Sequence, residues 1–309
     1  MGCESGVSGA VPVPIPSTHP GARSASTKSS SSMPSDYNSA RDELKAGFVA
    51  GKCSSLEFRR AQLAGIVKML EDHVEEIATA LAADMGRPKG EAEGEAWICI
   101  REAKEASANL KTWTTPEQKG VHVMFHPASA AVRRSPFGAV LIIGPYNYPL
   151  LLTIEPLIGA IAAGNATMLK PSELTPKVAD FLERRLPAYV AREACQVVTG
   201  GVDVSKALLA TKWDFIYFTG SPRVGQIVAT AAAKFMTPTA LELGGKAPVV
   251  VHESADLQVG SACLHLHRWL HGLHLHRWLP GAAGLRRRCL TGADANHRLL
   301  VCVAFAGGR

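Results

Sequence analysis

The chain has 309 residues, of which 47% are hydrophobic and 19% charged, the mix of an ordinary globular protein long enough for about two domains. No apolar run reaches the roughly 18 residues of a membrane helix; the stretch 150–163 is interrupted by Thr153, Glu155, Pro156 and Gly159. The formal charge of +6 does not mark a nucleic-acid binder, because residues 258–309 hold seven arginines against one acid, Asp294, and carry the whole excess.

Residues 1–35 are rich in Ser, Gly, Pro and Ala, with Glu4 as the one acid. Such a composition cannot bury a core, so a disordered leader is expected. It also suits an organelle transit peptide. Met1-Gly2-Cys3 invites a lipid anchor, but the pattern wants Ser or Thr where Gly6 stands. The seven cysteines are scattered, with no Cys-x-x-Cys pair, which points to a reducing compartment. Cytoplasmic residence is expected, with a plastid or mitochondrion as the alternative.

A folded domain is expected over residues 36–257. Ser54-Ser55-Leu56-Glu57 reads as a capping box with Ser54 as N-cap and Glu57 reaching back. Leu63, Ile66, Val67, Leu70, Val74, Ile77 and Leu81 then recur at spacings of three and four, one face of a single long helix that Gly86 would stop. A second helix is predicted over 91–113, and a hairpin from 121–125 and 130–134. Short β-rich runs follow at 139–143, 167–169, 196–198, 215–218 and 248–251, with helical patterns between them. Strands alternating with helical crossovers predict an α/β fold, a parallel sheet covered on both faces. Ligands on such sheets bind beyond the carboxyl ends of the strands.

The polar strings fall at those ends. Asn147, in Gly144-Pro-Tyr-Asn-Tyr-Pro149, carries an amide that can donate to a developing oxyanion, or simply cap the loop. Lys170 and Glu173, three residues apart, offer a donor and an acceptor to ribose hydroxyls; a solvated charge pair is the plainer reading. Gly220, Ser221 and Gly225 lie between a strand and a helix, where glycine admits a pyrophosphate to the backbone and the helix N-terminus favours its charge. Glu242 precedes Leu243, Gly244 and Gly245. In a partly desolvated cleft its carboxylate would serve as general base; a helix-capping or rim Glu is the alternative.

These strings, with Ala160-Ile-Ala-Ala-Gly-Asn165 and in this order, resemble the aldehyde dehydrogenase superfamily over about residues 36–256, most of all its class-3, fatty-aldehyde-like branch. The resemblance implies a Rossmann-like cofactor domain behind N-terminal helices, and NAD(P)-dependent oxidation of an aldehyde to an acid through a cysteine thioester. It implies Asn147 as oxyanion donor and Glu242 as the base that activates the hydrolytic water. Lys170, Glu173, Gly220, Ser221, Gly225, Leu243 and Gly244 then hold the cofactor. The acid Glu173 disfavours a 2′-phosphate, so NAD is expected, with NADP as the alternative. The implied partner is a small aldehyde, with a homodimer implied for the intact family member.

The resemblance breaks near residue 258. The Gly-Gln-x-Cys string that would carry the nucleophile is absent, and neither Cys263 nor Cys289 stands in its context. Leu264-His-Leu-His-Arg-Trp-Leu270 recurs letter for letter at 273–279, and lysine disappears after Lys246. An aberrant tail over 258–309, a largely missing catalytic domain and a chain without dehydrogenase turnover are expected. A non-catalytic dinucleotide-binding fragment is the alternative. A tail module in which His265, His267, His271, His274 and His276 bind metal is a further alternative, though no metal site is assigned to them.

Overall fold

The computed structural model describes residues 37–245; the expectations for the leader, for a strand at 248–251 and for the tail with its histidines lie outside them. The first helix, α1 (Asn38–Val49), leads through a turn into α2 (Leu56–Asp72). The capping box expected there does not form. Ser55, not Ser54, is the N-cap: its backbone is extended and its Oγ accepts from Phe58 N at 3.1 Å. Ser54 Oγ instead donates to Gly51 O at 2.6 Å, which leaves Glu57 as an acid in the first turn, where the helix dipole favours it.

The single long helix is likewise two. After α2 the chain breaks at His73 (φ −126°, ψ 21°) and resumes as α3 (Val74–Met85). The His73 ring lies 3.2 Å from Glu76 on one nitrogen and 3.2 Å from Tyr189 Oη on the other, so polar partners hold the break open. Periodicity runs through it because Leu63, Ile66, Leu70, Ile77 and Leu81 enter the same core. Gly86 ends α3 in the left-handed region at φ 68°, as its position predicts. The next helix, α4 (Lys89–Thr114), contains the whole expected span. In the hairpin, β1 (Glu117–Lys119) pairs antiparallel with β2 (Ala130–Val132). The segment expected as the first strand is partly a 3-10 turn at Val123–Phe125, closed by Phe125 N on His122 O and Met124 N on His122 Nδ1.

From there strands and helices alternate: β3 (Ala139–Ile143), α5 (Leu151–Ala163), β4 (Ala166–Lys170), α6 (Pro176–Tyr189), β5 (Cys195–Val197), α7 (Val202–Ala210), β6 (Phe215–Gly220), α8 (Pro222–Ala233) and β7 (Thr239–Leu243). The five strands form one parallel sheet in the order β5-β4-β3-β6-β7. The strand β7 corrects the sequence reading, which places no strand between residues 218 and 248. Its alternation is short and half exposed, and pairing with β6 decides it.

The sheet is covered on both faces. Helices α2 to α6 build one core, to which the strands contribute Ile142, Leu169 and Cys195. The other core contains residues of α1, α7 and α8 and takes Leu141, Ile143, Met168, Ile216 and Phe218. Adjacent strand residues thus enter opposite cores, as the twofold pleat requires.

One close backbone approach joins α2 to α6: a Cβ on Gly65 would lie 2.0 Å from the carbonyl oxygen of Tyr189. Glycine inside a helix normally costs about 1 kcal/mol relative to alanine, but here the steric term has the opposite sign. Gly65→Ala is expected to destabilise the chain by roughly 1–3 kcal/mol, the usual range for overpacking. Urea denaturation followed by circular dichroism checks it; an unchanged or raised midpoint would contradict the packing.

Candidate active site

The order of the sheet creates a crevice. From β3 the chain winds to β4 and β5, returns to the other side of β3 and continues through β6 and β7. The β3–β6 boundary is the topological switch point, where connections leave in opposite directions and a ligand finds room beyond the strand ends. Lys170 ends β4 and Gly220 ends β6, with β3 between them. Two strand spacings put those ends roughly 10 Å apart.

The pleat sorts the candidates by face. Met168, Ile143 and Phe218 belong to the core that includes α8, so Lys170 and Gly220, two residues beyond Met168 and Phe218, stand on that face. So does Leu243, which lies against α8: a Cβ on Gly225 would meet Leu243 Cδ2 at 2.6 Å. Glu242 alternates to the opposite face, the side of Tyr217, which packs on the core containing α5. The residues proposed for the cofactor and the proposed base therefore sit on different faces of one strand edge.

Burial decides how to read the charge pair. The Lys170 side chain is only 1% exposed and that of Glu173 37%, so the solvated pair is not what forms. Lys170 Nζ donates to Glu173 Oε2 at 2.6 Å and to Pro171 O at 3.1 Å. An ammonium has three protons, so one has no partner among the described residues. A donor beside a carboxylate fits a vicinal diol. Ser221 caps α8, its Oγ accepting from Val224 N at 3.4 Å. The N-terminus of that 12-residue helix opens on the crevice with the polarity an anion requires. Gly244 also borders it, 3.7 Å from Pro222 Cδ as measured from an added Cβ. Together these groups suit a ribose joined to a pyrophosphate.

Asn147 is exposed in the turn between β3 and α5. Two residues that the sequence reading missed hold this turn. Arg87 donates to the backbone carbonyl of Asn147 and lies over the Tyr148 ring at 4.2 Å. Arg87 is in turn paired with Glu95, whose other oxygen accepts from Leu151 N at 3.0 Å at the start of α5. Glu95 is 2% exposed. Burial raises its carboxyl pKa, although hydrogen bonds from the Leu151 backbone and the Arg87 charge oppose the rise. The signal was available: Glu95 is an acid on the inward stripe of α4, between Ala92 and Cys99.

Glu242 is exposed, so the residues described do not supply the desolvation expected of a general base. Its charge, second to burial, helps to raise the pKa of Tyr217. The described cysteines, Cys53, Cys99 and Cys195, are buried free thiols whose pKa is raised, chiefly by desolvation. None has the electropositive, accessible setting of a nucleophile. No cluster of metal-ligating side chains occurs among the described residues.

A doubly wound sheet with its polar residues at the switch point defines the open α/β class of nucleotide-binding folds. The comparisons are narrower. The model of the aldehyde dehydrogenase family matches residues 8–268. Aldehyde dehydrogenase family 3 member B1 of Homo sapiens is 45% identical over 216 residues, which cover 70% of this chain and 46% of that one. Family 3 member F1 of Arabidopsis thaliana is 42% identical over 210 residues, 68% and 43% of the two chains. Among solved structures, the substrate-bound state of Staphylococcus aureus AldH superposes with a TM-score of 0.67 at 37% identity, covering 74% of this chain and 50% of the other. Glyceraldehyde-3-phosphate dehydrogenase GapN of Methanocaldococcus jannaschii, complexed with NADP, gives 0.58 at 29%, with coverages of 71% and 48%. The chain belongs to the aldehyde dehydrogenase family, and it spans about half the length of the curated relatives it matches.

The charge pair gives a pH signature. Burial pushes the Glu173 carboxyl up, but the hydrogen bond and charge of Lys170, with a backbone N–H, outweigh it and hold the group below the ordinary range. A depressed carboxyl contributes stability that is present above its unfolded pKa and lost as pH falls through its folded value. Glu173→Gln should be less stable than the parent at pH 7, with the gap closing below about pH 4. Urea midpoints across this range test it, and a gap independent of pH would refute it.

Proposed function

We propose that residues 37–245 form the dinucleotide-binding part of an NAD(P)-dependent aldehyde dehydrogenase. The observation that carries this reading is the buried Lys170 at the end of β4, one strand from the switch point, paired with Glu173 and with one donor unspent among the described residues. Lys170 and Glu173 take the adenosine ribose hydroxyls. Gly220, Ser221 and Gly225, with the N-terminus of α8, take the pyrophosphate, and Leu243 and Gly244 line its approach. The nicotinamide of the bound cofactor supplies the hydride acceptor for oxidation of an aldehyde to an acid. In a family member that also carries the cysteine nucleophile, an amide placed as Asn147 is would donate to the oxyanion of the reacting carbonyl, and a carboxylate placed as Glu242 is would take a proton from the water that releases the acid. The sequence holds no Gly-Gln-x-Cys string, so this chain is proposed to bind cofactor without turning over aldehyde.

Two further parts belong to this proposal. The intact family member is expected to pair with a second copy; Val123, Met124, Phe125 and Val132 of the hairpin region are exposed apolar residues, a surface that association would cover. Residence is cytoplasmic, with an organelle as the alternative; one relative, family 3 member I1 of Arabidopsis thaliana, is named chloroplastic. No helix among the described residues is long and apolar enough to cross a membrane.

Titration calorimetry of the purified chain with NAD is the first test. Saturable binding is expected, weakened on the order of 10-fold or more by Lys170→Ala, the loss that goes with a charge-assisted hydrogen bond. NADP should bind more weakly than NAD, because the Glu173 carboxylate repels a 2′-phosphate. No saturation by either dinucleotide would remove the reading. Aldehyde-dependent NADH formation by the same sample would overturn the claim that turnover is absent.

A further inference from the structure

We propose that Arg87 and Glu95 are positioning residues that preorganise Asn147 as an oxyanion donor. The inference rests on the reading of Asn147 given above and adds what holds it in place. The bracket begins with local chain geometry. Gly86 in the left-handed region ends α3, and Pro88, extended at ψ 144°, precedes α4. Arg87, caught between them, points its guanidinium toward the turn that leaves β3, and its side chain is only 13% exposed.

Each contact of that guanidinium has a consequence. One nitrogen pairs with Glu95, which is itself fixed by burial on α4. Another donates to the Asn147 carbonyl, so the backbone at Asn147 has a defined partner. The cation also covers one face of Tyr148 at 4.2 Å, which restrains the following residue. The second oxygen of Glu95 takes Leu151 N and pins the start of α5. Residues 147 and 148 are thereby tied through Arg87, and residue 151 directly, to a single buried carboxylate. The side-chain amide of Asn147 has no partner among the described residues, while its backbone is held. An oxyanion donor works best in that state, because a donor already in place needs no reorganisation when charge develops. Had the bracket gripped the amide itself, the donor would be consumed.

The test is nuclear magnetic resonance on the full chain, which requires neither cofactor nor turnover. The Asn147 side-chain amide pair is assigned by its loss in Asn147→Asp. In the parent, the backbone N–H of Tyr148 is expected to be as rigid as the sheet, with an order parameter of roughly 0.85. In Arg87→Met it should fall below about 0.6, and the Asn147 amide pair should move toward the shifts of a free side chain. Arg87→Lys, which keeps the charge, should restore part of both. The buried Asn165 amide, which donates to Ala160 O at 3.3 Å, is the internal control and should not move. Should Arg87→Met fail to fold, Tyr148→Leu removes the stacked face at an exposed position and should loosen the same resonances. A parent turn already mobile, or Asn147 and Tyr148 signals unchanged in every variant that folds, would overturn the proposal. NAD titration of Arg87→Met separates the two readings. Binding equal to the parent, with a loosened Asn147, supports the bracket. Loss of NAD binding in the parent itself would refute the cofactor reading while leaving the resonance test intact.

Discussion

Strand β3 is buried along all five of its residues, with β4 on one side and β6 on the other, and the site cannot exist without that arrangement. A parallel strand in this position has its hydrogen bonds satisfied on both edges and apolar cover on both faces. Its carboxyl end therefore stays at one height relative to Lys170 and Phe218, which are its register partners at Ile143. The turn carrying Asn147, the charge pair after β4 and the capped helix after β6 inherit their spacing from that register. Helix dipoles and spare donors then act at one crevice instead of three separate surfaces.

The N-terminal helices make the same crevice rigid from one side. Arg59 of α2 is buried and meets no acid among the described residues. It donates to Cys53 O at 3.0 Å, Ser54 O at 2.8 Å and Ala162 O at 3.1 Å, and burial lowers its pKa. The guanidinium fork spans the start of α2 and the end of α5, so the far end of α5 is fastened by one arginine and its near end by the Arg87–Glu95 pair. A buried charge of this kind is costly unless its donors are used, and here the carbonyls of two segments use them. The N-terminal helical layer is thus part of the site's support, although it contributes no group to the crevice.

Much of this was legible in the residues. The strand runs at 139–143, 167–169 and 215–218, and Gly86 as a helix stop, all emerge from apolar runs and turn chemistry, because local pattern and tertiary fold agree there. The departures have one kind of cause. Ser55 takes the cap from Ser54 because the turn at Gly51 claims the Ser54 hydroxyl. The α2–α3 break occurs because Glu76 and Tyr189 supply partners to His73. The edge strand β7 forms because β6 offers it a ladder. Tyr189 and β6 lie outside the window in which periodicity is counted, while Gly51 and Glu76 lie within it but act through turn and side-chain contacts that periodicity does not register.

The sequence by itself determined the α/β class, the order of the motifs and the chemistry available at Asn147, Lys170, Glu173, Ser221 and Glu242, since those follow from side-chain type and from residues near in the chain. Only the tertiary structure decided which of them share a face. It placed Lys170, Gly220 and Leu243 on the α8 side of the sheet and Glu242 on the other. It also buried Lys170 and brought Arg87, 60 residues away in the chain, onto the Asn147 carbonyl. The physical reason is that face and burial depend on strand register and on helices packed from distant segments, quantities that no local pattern contains.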